Sequence, residues 1–263
     1  RIVEELCEVA LRVGIRFEYS STVADIVTKS GSATGVVTTA GSFFRADAVI
    51  SNADPGAIHR LTEGNAGREL KPEQRSMSGF VMLIGLNKKL QGLRHHTVCF
   101  SDDYDREFSQ IFSERKFPDD PTVYVNVPSI TDPSMAPVGG ESVFVMANAP
   151  ADTAPWTPEF EAEAVRRVRE RLAKSGMPDF FVDARFIDCW TPAWLESEYS
   201  TPGGSIYGQV SHGWTGTVFR PSLKDRKIQN LFYVGGGTHP GGGTPTVLMS
   251  AEIVSEMVGG AAN

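Results

Sequence analysis

The densest group of residues with chemical potential is rich in glycine. Six of the 26 glycines fall between Gly235 and Gly243, after a short apolar run and before a helical pattern. A flat or anionic ligand can approach a backbone without Cβ atoms closely. The following helix would direct free N–H groups and its positive dipole end at the loop, and Pro245 suits its first turn. The pattern predicts a site for a phosphate, or for the negative charge near N1 and the C2 carbonyl of a reduced flavin. A tight turn before a helix would have the same composition and remains an equal alternative.

Other catalytic patterns are not evident in the sequence. The loop differs from GxGxxG with a following acidic residue and from GxxxxGK(S/T), so it predicts neither a complete dinucleotide fingerprint nor a phosphate-loop NTPase. We find no Ser-His-Asp set, carboxylate pair or metal cluster. Cys7, Cys99 and Cys189 lie far apart, which predicts neither a disulfide framework nor a zinc site. His95 and His96 are adjacent in a strand-like run, so we expect opposite faces and no shared metal.

Strand-like runs are expected to position the polar turns. The apolar run at 230–234 enters the glycine-rich loop, and the pattern at 246–258 predicts an amphipathic helix. Its expected inner-face residues are Val247, Ala251, Val254 and Val258. Near the start of the chain, a β-meander is predicted from the runs at 23–28, 35–39 and 43–50.

The last run of the meander stops at a polar turn, Ser51-Asn52-Ala53-Asp54-Pro55. Asn52 or Asp54 could cap a helix that carries Pro55 in its first turn. Farther on, a mixed sheet is predicted from strands at 80–86, 97–100, 122–127, 142–147 and 180–187, with helices from Tyr104 and at 158–174. In the first of these strands, Phe80, Met82, Ile84 and Leu86 share one face and are predicted to be core. The segment 201–219 is predicted to be loop with short strands.

Composition bounds the possible functions. The chain has 263 residues, of which 41% are hydrophobic, and this is enough for a sizeable core in one large domain or two interleaved ones. The net charge is −7 and the basic residues are scattered, which disfavours a nucleic-acid partner. No apolar run approaches the roughly 20 residues that span a bilayer. The three separated cysteines fit a reducing environment, and we therefore expect a cytoplasmic protein. The chain enters a helical repeat directly at Arg1, without a cap, which we interpret as a fragment of a longer protein rather than a frayed terminus.

A longer motif that includes the glycines resembles a particular protein family. The chain from Asn230 to Ala251 reads NLFYVGGGTHPGGGTPTVLMSA and resembles the carboxyl-terminal signature of carotenoid desaturases of the phytoene desaturase type, which lies against FAD. Phe219-Arg220-Pro221 resembles the "RP" element of that family, and the turn at 51–55 resembles its "SNADP". Thr246 stands where the family often has glycine. The amino-terminal strand, glycine-rich turn and helix of the family, which hold adenosine and pyrophosphate, would precede Arg1.

The resemblance implies an α/β fold, with a partial Rossmann-like FAD domain that includes the β-meander and an inserted mixed-sheet substrate domain. By this analogy, residues 1–55 and 215–263 belong to the flavin domain and residues 56–214 form the substrate domain. The implied FAD-binding residues are Asn52, Ala53, Gly235, Gly236, Gly237, Thr238, Gly241, Gly242, Gly243, Thr244, Pro245, Thr246 and Val247. No metal is implied.

The resemblance also implies an activity. A hydride equivalent passes from an isoprenoid such as phytoene to flavin N5, a proton is lost, and a conjugated double bond forms. The alternatives are a flavin-dependent polyene isomerase or saturase, and a non-catalytic isoprenoid-binding protein. An apolar substrate of this kind implies peripheral attachment to the cytoplasmic membrane. His239 could assist proton loss, although a role in bracing the loop is favoured. Aromatic residues that could line a polyene tunnel, or simply pack in the core, are Trp190, Trp194, Tyr207, Trp214 and Phe219.

Overall fold

A computed structural model describes residues 2–62, 70–152, 156–210 and 220–261. In these ranges the helices are α1 (Ile2–Arg12), α2 (Tyr104–Phe112), α3 (Pro158–Lys174), α4 (Pro192–Tyr199) and α5 (Thr244–Ala261). The strands are β1 (Val23–Lys29), β2 (Ser32–Thr38), β3 (Phe43–Arg45), β4 (Val49–Ser51), β5 (Ser78–Leu86), β6 (His96–Cys99), β7 (Val123–Asn126), β8 (Glu141–Ala149), β9 (Ala184–Trp190) and β10 (Leu231–Tyr233). They form three sheets, ordered β1-β2-β3, β10-β4 and β6-β7-β8-β5-β9. Within the described ranges, no helix has the length and apolarity needed to cross a bilayer.

The three-stranded β-meander is confirmed, but the predicted bounds of its third strand are wrong. β1 and β2 pair antiparallel around Ser30 and Gly31, whose φ angles of 51° and 80° suit a tight hairpin. The run at 43–50 is not one strand but two. β3 stays with β2, whereas β4 leaves that sheet and pairs in parallel with β10, where Val49 joins a buried cluster with Leu231.

The helix expected after the polar turn at 51–55 is also wrong. Asp54 Oδ1 accepts a hydrogen bond from the Gly56 N–H at 2.8 Å, which closes a local turn instead of capping a helix. A short 3₁₀ helix, Ile58–Leu61, follows after Ala57, and no side-chain cap is present there.

The largest core lies on one face of the five-stranded sheet. All four of its strand pairings are antiparallel, so the expectation of a mixed sheet is wrong in this respect. The predicted core residues of β5 are confirmed as buried, with Phe80 and Met82 completely inaccessible. Helix α3 covers this face through buried Ala164, Val168 and Leu172. The Thr157 side chain caps α3 by accepting from the Phe160 N–H.

Three further elements differ from expectation. β9 begins at Ala184 instead of residue 180, and helix α4, in the segment before residue 201, has no counterpart among the predicted elements. The inner face of α5 includes Ser250 and Val254, which are buried, whereas Ala251 is exposed. Helix α1 is confirmed, but none of its residues is buried.

Candidate functional site

Two polar turns meet because the strands before them are parallel neighbours. In the β4–β10 pair, Val49 lies opposite Leu231 and Ser51 lies opposite Tyr233. The ladder continues past both strands, with the Val234 N–H donating to the Ser51 carbonyl at 3.0 Å. Since carboxyl ends of parallel strands lie at the same edge, residues 52–55 come to rest beside the glycine-rich loop. This is the position at which open α/β sheets commonly bind ligands.

Contacts between the two turns require glycine. Gly235 has a φ of 107°, and a Cβ there would lie less than 3.0 Å from Asn52 Oδ1. A Cβ on Gly237 would lie 2.6 Å from Pro55 Cδ. Ala53 is held nearby, because its N–H donates to Ser51 Oγ at 3.2 Å. The turn at 51–55, which we call the Asn52 turn, therefore packs its side chains directly against the backbone of the loop. This packing leaves no room for a larger residue at Gly235 or Gly237.

Hydroxyl groups of Thr238 and Ser250 stabilise the loop through hydrogen bonds. Thr238 is fully buried, and its hydroxyl donates to the Gly235 carbonyl at 2.9 Å. The Gly235 N–H donates to the hydroxyl oxygen of Ser250 at 3.0 Å, and that hydroxyl donates to the Val247 carbonyl at 2.6 Å. These bonds connect the start of the loop to the second turn of α5.

Arg220 and Pro221 support the other side of the loop. Arg220 Nη1 donates to the Gly236 carbonyl at 3.2 Å, and its guanidinium carbon lies 3.0 Å from the Cβ position of Gly241. The His239 N–H donates to the Pro221 carbonyl at 3.1 Å. Arg220 and Pro221 of the "RP" element thus stabilise the loop through hydrogen bonds to its backbone.

The exposed part of the loop is the helix start. Gly242, Gly243, Thr244 and Pro245 are all solvent-exposed. The first helical hydrogen bond runs from the Val247 N–H to the Gly243 carbonyl at 2.9 Å. The side chain of Thr246 turns back to the carbonyls of Gly242 and Gly243, at 2.9 and 2.8 Å. A bare backbone and the positive end of a helix dipole are therefore open to an anionic or carbonyl-bearing ligand.

Sequence reasoning missed the part that Asp54 plays. Its carboxyl group is partly buried, and Oδ2 lies 3.1 Å from the Cβ position of Gly208 and 3.4 Å from that of Gly237. Burial raises the pKa of Asp54 above its ordinary value, and the Gly56 N–H offsets this only in part. The only signal in the sequence is its place in the turn at 51–55, where the pattern predicts a helix cap.

The expected FAD-binding residues all lie in this one region. Those that hold the loop in shape are Asn52, Ala53, Gly235, Gly236, Gly237, Thr238, Gly241 and Val247; those at the exposed helix start are Gly242, Gly243, Thr244, Pro245 and Thr246. Their role in FAD binding stays a prediction. His239 is exposed on the loop, and its part in proton loss likewise stays a prediction.

The aromatic candidates fall into two places. Trp190 and Trp194 stack with ring centroids 4.6 Å apart at the end of the five-stranded sheet. Tyr207 lies beside the loop, with its ring 3.1 Å from the Cβ position of Gly242. Trp214 and Phe219 lie outside the described residues.

Two other sequence inferences concern groups away from the loop. The prediction that His95 and His96 face opposite ways is wrong, because their rings stack 4.2 Å apart; β6 begins only at His96, so strand alternation does not govern the pair. Among the described residues, no cluster of three or more His, Cys, Asp or Glu side chains could hold a metal. Burial, reinforced by Glu161, raises the pKa of the Cys189 thiol to about 12, so it stays protonated.

A family model described as "Flavin containing amine oxidoreductase" matches residues 1–258. The chain is 35% identical over 263 residues to a zeta-carotene-forming phytoene desaturase from Myxococcus xanthus, covering 97% of this chain and 50% of that protein. It is 32% identical over 262 residues to a 1-hydroxycarotenoid 3,4-desaturase from Flavobacterium sp. (strain P99-3), covering 98% and 53%. A 4,4'-diaponeurosporene oxygenase from Staphylococcus haemolyticus (strain JCSC1435) is 30% identical over 263 residues, with coverages of 98% and 52%.

A solved structure shares the fold. The structure of an oxidoreductase from Methanosarcina mazei matches with a TM-score of 0.61 and 19% identity, over 97% of this chain and 53% of that one. These matches confirm the resemblance drawn from the motif and the α/β fold class. The chain spans about half the length of the curated relatives it matches.

Proposed function

Because the chain belongs to the flavin containing amine oxidoreductase family, we propose that its protein is an FAD-dependent oxidoreductase that desaturates a carotenoid or related isoprenoid polyene. The observation that carries the proposal is the joining of the Asn52 turn and the glycine-rich loop at one sheet edge. Two relatives that match along nearly the whole chain are named as carotenoid desaturases, which supports the substrate class.

The loop suits a flavin in shape and charge. The helix start from Gly242 to Pro245 offers N–H groups and a positive dipole end to a carbonyl or developing anion. Behind the helix start, the loop is held by buried or partly buried hydrogen bonds from Thr238, Ser250 and Arg220. The N–H groups of the helix start therefore need no rearrangement when negative charge develops on the ligand. The Tyr207 ring lies beside Gly242 and adds an apolar surface next to the exposed helix start.

When bound, FAD would take up a hydride equivalent from a C–H bond of the polyene, while a second hydrogen leaves as a proton and the conjugation extends. The chain's own residues orient the apolar chain and keep water out. The polyene itself spreads the developing charge.

We propose that a further segment of the protein completes the FAD site. This segment would correspond to the part of each relative that the present chain does not match. That segment would hold the adenosine and pyrophosphate of FAD. Helix α1 offers a matching surface, since Ile2, Leu6 and Val9 are at least half exposed along its length. A helix this short is marginal in water without packing partners, so α1 fits a role as an interface element.

Attachment to the surface of a lipid bilayer is also part of the proposal. Its support is the lipid solubility of the polyene substrate class. Flotation with liposomes of neutral and anionic lipids tests it: the protein should rise with the vesicles, and protein that stays at the bottom of the gradient with both compositions would contradict attachment.

Oxygenation of a polyene is the second candidate. The relative from Staphylococcus haemolyticus carries an oxygenase name at 30% identity, close to the identity of the desaturase relatives. Mass spectrometry of the product separates the two, because desaturation removes two hydrogen atoms and oxygenation adds oxygen.

The test is made with the product of the complete reading frame that contains these 263 residues. The protein is purified, its visible spectrum is recorded, and it is incubated with FAD and phytoene in liposomes. We expect flavin absorption and a more conjugated product that absorbs at longer wavelength. A protein that takes up no flavin and leaves phytoene unchanged would contradict the proposal.

A further inference from the structure

The Asp54 carboxyl lies where three segments of the chain meet. Its Oδ2 atom is 3.1 Å from the Cβ position of Gly208 and 3.4 Å from that of Gly237. The other oxygen, Oδ1, accepts a hydrogen bond from the Gly56 N–H at 2.8 Å, within the Asn52 turn and the residues that follow it. One carboxyl group therefore lies between the Asn52 turn, the glycine-rich loop and the segment at 206–210.

The segment at 206–210 brings the neighbourhood of the five-stranded sheet to the loop. Its Gly208 carbonyl accepts from the Ser76 N–H at 2.8 Å, just before β5 begins. Gly208 has a φ of 64°, and a Cβ there would lie 3.3 Å from Gly237 Cα. Two glycine backbones are thus packed together beside Asp54 Oδ2, a close approach that side chains would prevent. This packing keeps the carboxyl partly buried.

In the described part of the chain, Asp54 has no ion-pair partner. Burial raises the pKa of its carboxyl, and the Gly56 N–H lowers it by a smaller amount. The titratable side chains on the surrounding elements are His59, Arg75, Tyr207, Arg220 and His239. Three of these face backbone carbonyls: His59 at Gly56, Arg75 at Leu70 and Arg220 at Gly236. When Asp54 ionises, its negative charge is therefore not neutralised by a neighbouring cation among the described residues.

Only the thickness of the loop separates Asp54 from the exposed helix start. The two arms of the loop are in contact, since the Cβ position of Gly236 lies 3.4 Å from Gly242 Cα. Gly237, the next residue, faces Asp54. With a Cα–Cα step of about 3.8 Å, the carboxyl is about 10 Å from the backbone of the helix start. This distance is close to the Debye length of about 8 Å at physiological ionic strength, and it runs through protein, so a charge on Asp54 acts at the helix start.

An ionised Asp54 opposes the effect of the helix start. The N–H groups and the positive dipole end of α5 stabilise negative charge on a ligand. A carboxylate behind the loop repels that charge, whereas a neutral carboxylic acid does not. The coupling is reciprocal, so negative charge at the helix start raises the pKa of Asp54 further and favours its protonated form.

We propose that Asp54 is a positioning residue of the flavin site that takes up a proton from water when the flavin is reduced. This inference rests on the proposed function, because the substrate supplies the hydride and its two electrons to FAD. One further proton passes from water to the Asp54 carboxylate, which becomes a neutral carboxylic acid. The negative charge behind the loop is thereby removed as negative charge appears in front of it.

The test uses the product of the complete reading frame, loaded with FAD. Infrared spectra of the reduced and oxidised protein are subtracted, and the reduction potential of the flavin is measured across a range of pH. Asp54→Asn removes the titratable group and keeps its size. Asp47→Asn is the matched control, because it makes the same change of charge at an exposed residue four positions before Ser51. Circular dichroism verifies that each variant is folded.

Reduction of the unmodified protein and of Asp47→Asn should produce the carbonyl stretch of a protonated carboxylic acid, and Asp54→Asn should lack this band. At a pH above the pKa of Asp54, the ratio of reduced to oxidised flavin at a fixed potential should be about tenfold higher in Asp54→Asn, which is about 30 mV for a two-electron couple. Below that pKa the two proteins should agree, because neither then carries the charge.

Gly208→Ala supplies a second test that retains the carboxyl group. Its methyl group would lie 3.1 Å from Asp54 Oδ2 and shield it further from water, so the change in potential should move to higher pH. An equal carboxylic acid band in Asp54→Asn and the unmodified protein, or the absence of that band from the unmodified protein, would overturn the inference and leave the proposed function intact. So would potentials that follow pH identically in the unmodified protein and Asp54→Asn, or in the unmodified protein and Gly208→Ala. A protein that binds no flavin would overturn both the inference and the function.

Discussion

Replacement of Gly235 by alanine tests whether the loop and the Asn52 turn are packed as described. The residue has a φ of 107°, and its Cβ position lies less than 3.0 Å from Asn52 Oδ1. Backbone strain at positive φ contributes about 1 to 2 kcal/mol for a residue with a Cβ. Forcing a methyl group into a packed site adds roughly 1 to 3 kcal/mol. Gly235→Ala should therefore lower the free energy of unfolding by about 2 to 5 kcal/mol.

Two further variants separate the strain from the clash. Gly31 has a φ of 80° and nothing within 4 Å of its Cβ position, so Gly31→Ala should cost only the strain. Removing the amide in Asn52→Ala should relieve the clash, and Gly235→Ala should then cost about as much as Gly31→Ala. The difference between the two backgrounds is the coupling free energy between Asn52 and residue 235.

Urea denaturation followed by circular dichroism measures these values, and thermal melting supplies a second estimate. A loss of about 2 to 5 kcal/mol corresponds to a fall in melting temperature of roughly 5 to 15 °C for a chain of this size. A Gly235→Ala protein that unfolds within about 0.5 kcal/mol of the unmodified one would refute the packing of the two turns. So would a cost that is unaffected by Asn52→Ala.

Three other predictions concern the same region and the main core. Ser250→Ala should destabilise the protein by about 1 to 3 kcal/mol, because the Gly235 N–H loses its buried acceptor; urea unfolding measures this, with the exposed Ser134→Ala as a control. Since burial raises the pKa of Asp54, ionisation of its carboxyl weakens the folded state, so the contribution of this group to stability is fully present below its ordinary pKa and is lost as pH rises through the raised pKa. Asp54→Asn should reduce this pH-dependent loss of stability, and an unchanged pH profile would argue against burial of the carboxyl. Arg171 is buried and forms ion pairs with Asp120 and, at 3.0 Å, with Asp102. Arg171→Ala should therefore lower the free energy of unfolding by about 3 to 5 kcal/mol. A decrease no larger than that caused by the exposed Arg166→Ala would contradict this prediction.

The sequence predicts most of the fold where local periodicity is strong. The bounds of α3 agree at both ends, because Thr157 caps it and apolar residues recur on one face. The core face of β5 is equally clear from its alternating pattern. By contrast, α4 is a short helix with little amphipathic character, so its sequence carries no clear helical period.

Long-range pairing could not be read from local pattern. β4 separates from β3 because its partner is β10, and the contact between Val49 and Leu231 joins distant parts of the chain. The polar turn after β4 was expected to start a helix, but the Asp54 side chain competes for the Gly56 N–H. Local propensity gives no information on the pairing of β4 with β10.

The candidate site was predictable from its motif, and its internal supports were not. The glycines and the turn at 51–55 stand out as residue types and as a family signature. The roles of Ser250 and Arg220 as supports depend on the approach of α5 and the 220–221 segment to the loop.

The central claim is that the glycine-rich loop serves a flavin that oxidises a polyene. The most direct measurement is anaerobic: the product of the complete reading frame, loaded with FAD, is mixed with phytoene in liposomes while flavin and polyene absorption are followed together. Flavin absorption should bleach as a longer-wavelength polyene band appears, and Gly242→Val, at the exposed helix start, should lose both changes. Bleaching without any new polyene band, or conversion of phytoene that proceeds without flavin, would contradict it.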